Sequence, residues 1–151
     1  MTMFSISTAI AGLTTATTLY TDGDVLGTNP MSFNLGVDQG HITGAVLINA
    51  TVNMGAVDLF LYDRSVTSAA NNAAHAISDA DRLFSLGMIN FPACQLGQDT
   101  NGQMSCIDSL AIPFDANASN TIFGILVTRS THTVHFGAAT DITVKLLGVA
   151  A

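Results

Sequence analysis

The chain is divided from end to end into short apolar runs of strand length, each bounded by turn-forming residues. This spacing restricts the fold more than any other feature, because regularly spaced short strands are the pattern of a β-sandwich or barrel. Strands are predicted at Phe4–Ile10, Thr15–Thr21, Met31–Leu35, Ile42–Ala50, Val57–Tyr62, Phe84–Phe91, Met104–Ile112, Thr121–Arg129 and Asp141–Gly148. The punctuation between them includes DGD at Asp22–Asp24, GTNP at Gly27–Pro30, VDQG at Val37–Gly40 and DANASN at Asp115–Asn120. There is no internal repeat and no shift in composition to mark a second domain. At 151 residues the chain is expected to form a single domain.

The charged residues point the same way. Eleven aspartates, no glutamate, three arginines and one lysine leave only 10% of positions charged. Glu and Lys are what helices commonly show to water, whereas Thr, Ser, Asn, Gly and Asp suit strands and turns. With 48% hydrophobic residues, so few charges leave either an extended apolar core or a surface partly committed to protein contacts. The net charge of −7 and the scattered Arg64, Arg82, Arg129 and Lys145 speak against nucleic-acid binding, which needs clustered cations.

Alternation of apolar and polar residues defines the sheet faces. In DITVKLLG, Ile142, Val144 and Leu146 share one face and Asp141, Thr143 and Lys145 the other. VDLFLYD carries Val57, Leu59 and Leu61 on one face and Asp58, Phe60 and Tyr62 on the other, and TIFGILV is apolar on both, so these strands need cover beyond a second sheet, from loops, an arm or a neighbouring subunit. Eight or nine strands in this length predict an all-β, jelly-roll-like sandwich. One short helix is expected around residues 78–84, where Ser78 and Asp81 fit a capping box and Asp79 falls in the first turn. Arg82 is placed to pair with Asp79 or Asp81, or to reach a neighbour.

The first twenty residues carry eight Ser or Thr and no charge, unlike a signal peptide or a membrane helix, so a soluble protein made in a cytoplasm is expected. Phe4, Ile6 and Ile10 alternate with small or polar residues. Residues 1–18 are therefore the first strand of the sandwich or a contact arm that adds to a sheet edge, and residues 19–151 are the sandwich proper. Cys94 and Cys106 flank the turn-rich QLGQDTNG and would face each other across a hairpin centred on Asp99–Gly102. They are either bridged or two free thiols.

No chemistry is nominated. Asp22/Asp24 and Asp79/Asp81 lack the convergent oxygen ligands of a calcium loop and serve better as a turn and a helix cap. A cupin-like metal site needs two histidines on one side of a strand, whereas His132 and His135 are three apart and His41 and His75 stand alone. Nucleophile elbows, aspartic-protease signatures and phosphate-binding loops are absent from the sequence. The expectation is a protein that is not an enzyme and uses no cofactor.

The ordered segments YTDGDVLG (Tyr20–Gly27), AVLINA (Ala45–Ala50), AVDLFLYDR (Ala56–Arg64), NNAAHAISDADRLFSLGMINF (Asn71–Phe91), LAIPF (Leu110–Phe114), TIFGILVTR (Thr121–Arg129) and DITVKLLG (Asp141–Gly148) resemble the head decoration, or cement, proteins of tailed bacteriophages. The resemblance spans residues 18–148 and rests on segment order, while THTVHFGAAT departs from the family's loop. It implies a β-rich, homotrimeric virion protein on the capsid exterior that binds the major capsid protein and stabilises its subunit contacts. The contact candidates are Phe4, Ile6, Ile10, Arg82 and Arg129. The alternative is a sugar-binding adhesion module of a virion. The chain has no Trp and two Tyr to stack a sugar on.

Overall fold

The computed structural model describes residues 1–14, 20–50, 54–93, 95–96, 102–116, 119–129 and 136–151. Ten strands and one helix follow in order: β1 (Met3–Ala9), β2 (Met31–Asn34), β3 (Gln39–Asn49), β4 (Val57–Tyr62), α1 (Asp79–Arg82), β5 (Ser85–Phe91), β6 (Gln95–Leu96), β7 (Gln103–Ile107), β8 (Ile112–Asp115), β9 (Thr121–Thr128) and β10 (Ile142–Ala150). They form two antiparallel sheets. One is ordered β1-β10-β3-β7-β6, with β8 also on β3, and the other β2-β9-β4-β5. The chain is an all-β sandwich.

Each sheet sends alternate side chains inward. Ile142, Val144 and Leu146 of β10 meet Val57, Leu59 and Leu61 of β4 in a shared core that also holds Phe33, Phe91 and Ile122. Gly124 occupies an inward position of β9 where a Cβ would come within 2.8 Å of Leu59 and 3.0 Å of Phe33, so the sheets close tightly there.

The outer face of β4 and β9 is covered by the chain itself. Val25, Val66, Ala69, Ile77 and Phe84, from the connections either side, pack on Tyr62, Phe60, Phe123, Ile125 and Val127. This second layer explains why the outer faces of both strands carry large apolar side chains, Phe60 and Tyr62 on β4 and Phe123, Ile125 and Val127 on β9. The covering segment is pinned by hydrogen bonds: Val25 N donates to Ala73 O (2.9 Å), Asn72 N to Val25 O (2.8 Å) and His75 N to Gly23 O (2.8 Å). Tyr20 Oη donates to Asn71 Oδ1 (2.8 Å), and Asn71 Nδ2 donates to Thr14 Oγ1 (2.8 Å), which fastens the segment to the N-terminal region. The DGD tripeptide is a turn, with Gly23 at φ +91° and Asp24 accepting from Thr21 N and Oγ1.

Two elements differ from expectation. The predicted strand Met104–Ile112 is two strands, β7 and β8, both paired with β3. Between Ile42↔Ile112 and Ala45↔Ile107 the outer chain carries two more residues than β3, and Ser109 at φ +62° turns the surplus out of the ladder. Leu110 N still donates to Thr43 O (2.9 Å) across the break. The helix is a single turn: Ser78 Oγ accepts from Asp81 N (3.1 Å), but the Asp81 carboxylate accepts from Thr67 N (3.3 Å) instead of closing a reciprocal box. Most of the predicted Thr15–Thr21 strand lies outside the described residues, and Tyr20 and Thr21 are not in a strand. Cys94, His132, His135, Asn117 and most of the Asp99–Gly102 turn also lie outside the described residues. β6 and β7, which flank that turn, pair antiparallel, and Cys106 is a free, exposed thiol.

Candidate functional site

The larger candidate surface is the outer face of the six-stranded sheet. Because β10 points Ile142, Val144 and Leu146 inward, Thr143, Lys145, Leu147 and Val149 face out. Register places Lys145 between Ser7 of β1 and Val46 of β3, with Leu147 beside Ser5. Val46 in turn faces Cys106, and Ile48 faces Met104. Leu147, Val149, Val46, Ile48, Met104 and Met3 therefore lie on this face, interspersed with the outward Ser5, Ser7, His41, Thr43 and Thr143. Ile48 is 41% exposed, Met104 53% and Met3 80%. Across β1, β10, β7 and residues 46–48 of β3, Lys145 is the one charge, and it forms no ion pair among the described residues. A sheet face with so few charges and several exposed apolar side chains is a candidate contact surface.

A smaller candidate lies on the opposite sheet, where the covering segment leaves a cleft of about 410 Å³ lined by Phe60, Tyr62, His75, Ala76, Ile77, Arg82 and Ser85. His75 stacks on Phe60 at 4.7 Å, and its Nδ1 is enclosed without a hydrogen-bond partner among the described residues. Burial, reinforced by the Arg129 and Arg82 charges, lowers the His75 pKa from its ordinary value, so the ring is neutral at pH 7. Burial and then the Asp81 carboxylate raise the Tyr62 pKa, against a smaller opposing effect of Arg82, which keeps its hydroxyl protonated.

The sequence-predicted contact residues separate into two places. Phe4 and Ile6 are half-buried against the sandwich core, Ile10 is only 1% exposed, and the Phe4 ring meets Phe114 edge-on at 5.7 Å. The outward members of that strand are Met3, Ser5, Ser7 and Ala9. β1 is an edge among the described strands and pairs with β10 along its whole length. On the other sheet Arg82 lines the cleft, while Arg129 is not among the lining residues but lies near enough for its charge to act on His75. Arg82 pairs with Asp79 at 3.0 Å, with both side chains exposed. Arg129 Nε donates to the buried Asp58 carboxylate, which also accepts from Asn90 Nδ2 (2.6 Å), and the guanidinium lies 5.8 Å from the Phe60 ring.

Sequence reasoning passed over the apolar outer face. Its signal is Leu147, which breaks the polar face of DITVKLLG, but its sharing a sheet face with Val46 and Ile48 depends on pairing between distant strands. Among the described residues, no group of three or more His, Cys or Asp side chains is placed to hold a metal ion, and no helix is long and apolar enough to cross a membrane. Comparison with known protein families finds no matching family, and comparison with curated proteins finds no match.

Proposed function

We propose that this protein is a structural component of a bacteriophage particle that decorates the outside of the head and stabilises contacts between major capsid protein subunits. The observation that carries the proposal is the outer face of the six-stranded sheet, where Leu147, Val149, Val46, Ile48 and Met104 share the face with Lys145, which forms no ion pair among the described residues. Burying such a face against another protein removes apolar area from water, roughly 25 cal/mol per Å². A carboxylate on the partner would satisfy Lys145 as the surface is desolvated.

Topology supports the same role. The chain crosses between sheets at every connection except β4 to β5 and those joining β6, β7 and β8. That order fits the jelly-roll-like winding expected from the number of strands in a chain of this length. Docking across subunit junctions favours the assembled shell by mass action, and many copies add their effects. The role needs no catalysis and no cofactor, and a homotrimer on the capsid exterior is part of the same proposal.

The test is to mix the purified protein with heads assembled without it and to follow co-sedimentation and the temperature at which the heads disrupt. Saturable binding that raises this temperature is expected, and Lys145→Glu or Ile48→Asp should weaken it while leaving the fold intact. Failure of the unaltered protein to bind would overturn the proposal.

A further inference from the structure

We propose that the cleft between the covering segment and β4 is a binding site for a carboxylate carried on a small apolar or aromatic body. The polar groups that line it are hydrogen-bond donors or can act as donors: the Arg82 guanidinium, the protonated Tyr62 hydroxyl, the Ser85 hydroxyl and the His75 imidazole. Among the described residues no carboxylate lines the cleft, in a chain where aspartate outnumbers Lys and Arg together. Phe60, Ala76 and Ile77 supply apolar walls, and about 410 Å³ is within the range that takes small ligands.

The protein already shows the recognition contact. Asp79 Oδ1 sits 3.0 Å from Arg82 Nη1, in an ion pair with 97% and 67% of the respective side chains exposed. Such an exposed pair is weakly held, and a planar guanidinium accepts an incoming carboxylate through two parallel N–H bonds. A ligand carboxylate can therefore replace Asp79 at Arg82 while its body enters the cleft. The potential favours this orientation: Arg82 acts on both His75 and Tyr62, but Arg129 adds a second positive charge at His75, whereas the Asp81 carboxylate opposes Arg82 at Tyr62. The acid end belongs at the His75–Arg82 side.

The same chemistry is offered by a free small acid and by a peptide chain end, and the probes separate them. Amide NMR shifts of the intact protein are followed on titration with benzoate, its neutral counterpart benzyl alcohol, N-acetylphenylalanine and N-acetylphenylalanine amide. Saturable benzoate shifts are expected at residues 60–62, 75–77 and 85, with benzyl alcohol at least about tenfold weaker, the difference one charge-assisted hydrogen-bond pair makes. Tighter binding of N-acetylphenylalanine than of benzoate, lost in its amide, would assign the site to chain ends; the reverse order would assign it to small acids. Arg82→Gln should abolish the preference for the acid. Asp79→Asn, which removes the built-in competitor, should tighten benzoate binding, an effect no merely structural role of α1 would give. Equal binding of benzoate and benzyl alcohol, no saturable shift up to tens of millimolar, or an unchanged acid preference in Arg82→Gln would overturn the proposal.

Discussion

His75 gives the stability of this protein a pH dependence of definite sign. Its pKa in the folded state lies below the ordinary value of 6.5, first through burial and then through Arg129 and Arg82, so the unfolded chain takes up a proton that the folded chain does not. The contribution is present in full above the unfolded pKa and is lost as pH falls through about 6.5 toward the lower folded value. Urea midpoints measured from neutral pH down to about pH 5 should fall more steeply for the unaltered protein than for His75→Gln, and parallel curves would contradict this. Asp58 and Arg129 make a second prediction at this scale. Removing the guanidinium leaves a carboxylate that is 7% exposed with Asn90 as its remaining side-chain partner. Because Arg129 itself is 40% exposed, the cost of Arg129→Met should be discounted from that of a fully buried pair to about 1–3 kcal/mol, and Asp58→Asn in the same background should recover part of it. Denaturant unfolding of the two single variants and the double variant measures both terms.

At the scale of elements, β1 is where sequence and structure meet most usefully. Alternation in MFSISTA sends Phe4 and Ile6 toward the core and Met3, Ser5 and Ser7 outward, and seven paired positions bind the strand to β10. Phe4 fills the space over Gly148, where a Cβ would come within 2.2 Å of its ring, and meets Phe114 edge-on. Phe4→Ala should therefore cost about 2–3 kcal/mol, below the full value for a buried Phe because the ring is half-exposed, while Ser5→Ala on the outer face should be nearly neutral. A loss at Phe4 no larger than that at Ser5 would contradict the placement of β1 in the sheet. Strands of this kind were legible because period-two alternation follows directly from the pleat. The division of Met104–Ile112 into β7 and β8 was not, because Asp108, Ser109 and Leu110 interrupt the run without Gly or Pro. The positive φ at Ser109 is imposed by pairing on β3 rather than by its own preference. The α1 turn was legible from Ser78, but the partner of Asp81 was not, since Thr67 is brought to it by the tertiary path of the covering segment.

For the whole molecule, an accessible surface of 7245 Å² matches the value of about 7,000 Å² expected for a folded monomer of this mass. The exposed apolar sheet face is therefore not the sign of an incomplete core. Low charge left open either an extended core or a surface partly committed to contacts, and did not locate the exposed apolar side chains: Leu147, Val46, Ile48 and Met104 come from three strands far apart in sequence and share one sheet face only through register. The cleft was legible only in fragments. Arg82 and the Asp79/Asp81 pair stood out in the sequence, but their approach to Phe60, Tyr62 and His75 requires the covering segment to fold back over β4. Lys145→Glu should leave the unfolding midpoint close to that of the unaltered protein, because the side chain makes no ion pair among the described residues, yet reduce head binding at least about tenfold. The most direct measurement is cryo-electron microscopy, with mass spectrometry of the same sample, of purified virus particles from cells carrying this gene. Copies of the sandwich on the head exterior, with the β1-β10-β3-β7 face against the major capsid protein, are the predicted result. Absence of the protein from the particle, or its presence in the tail alone, would contradict it.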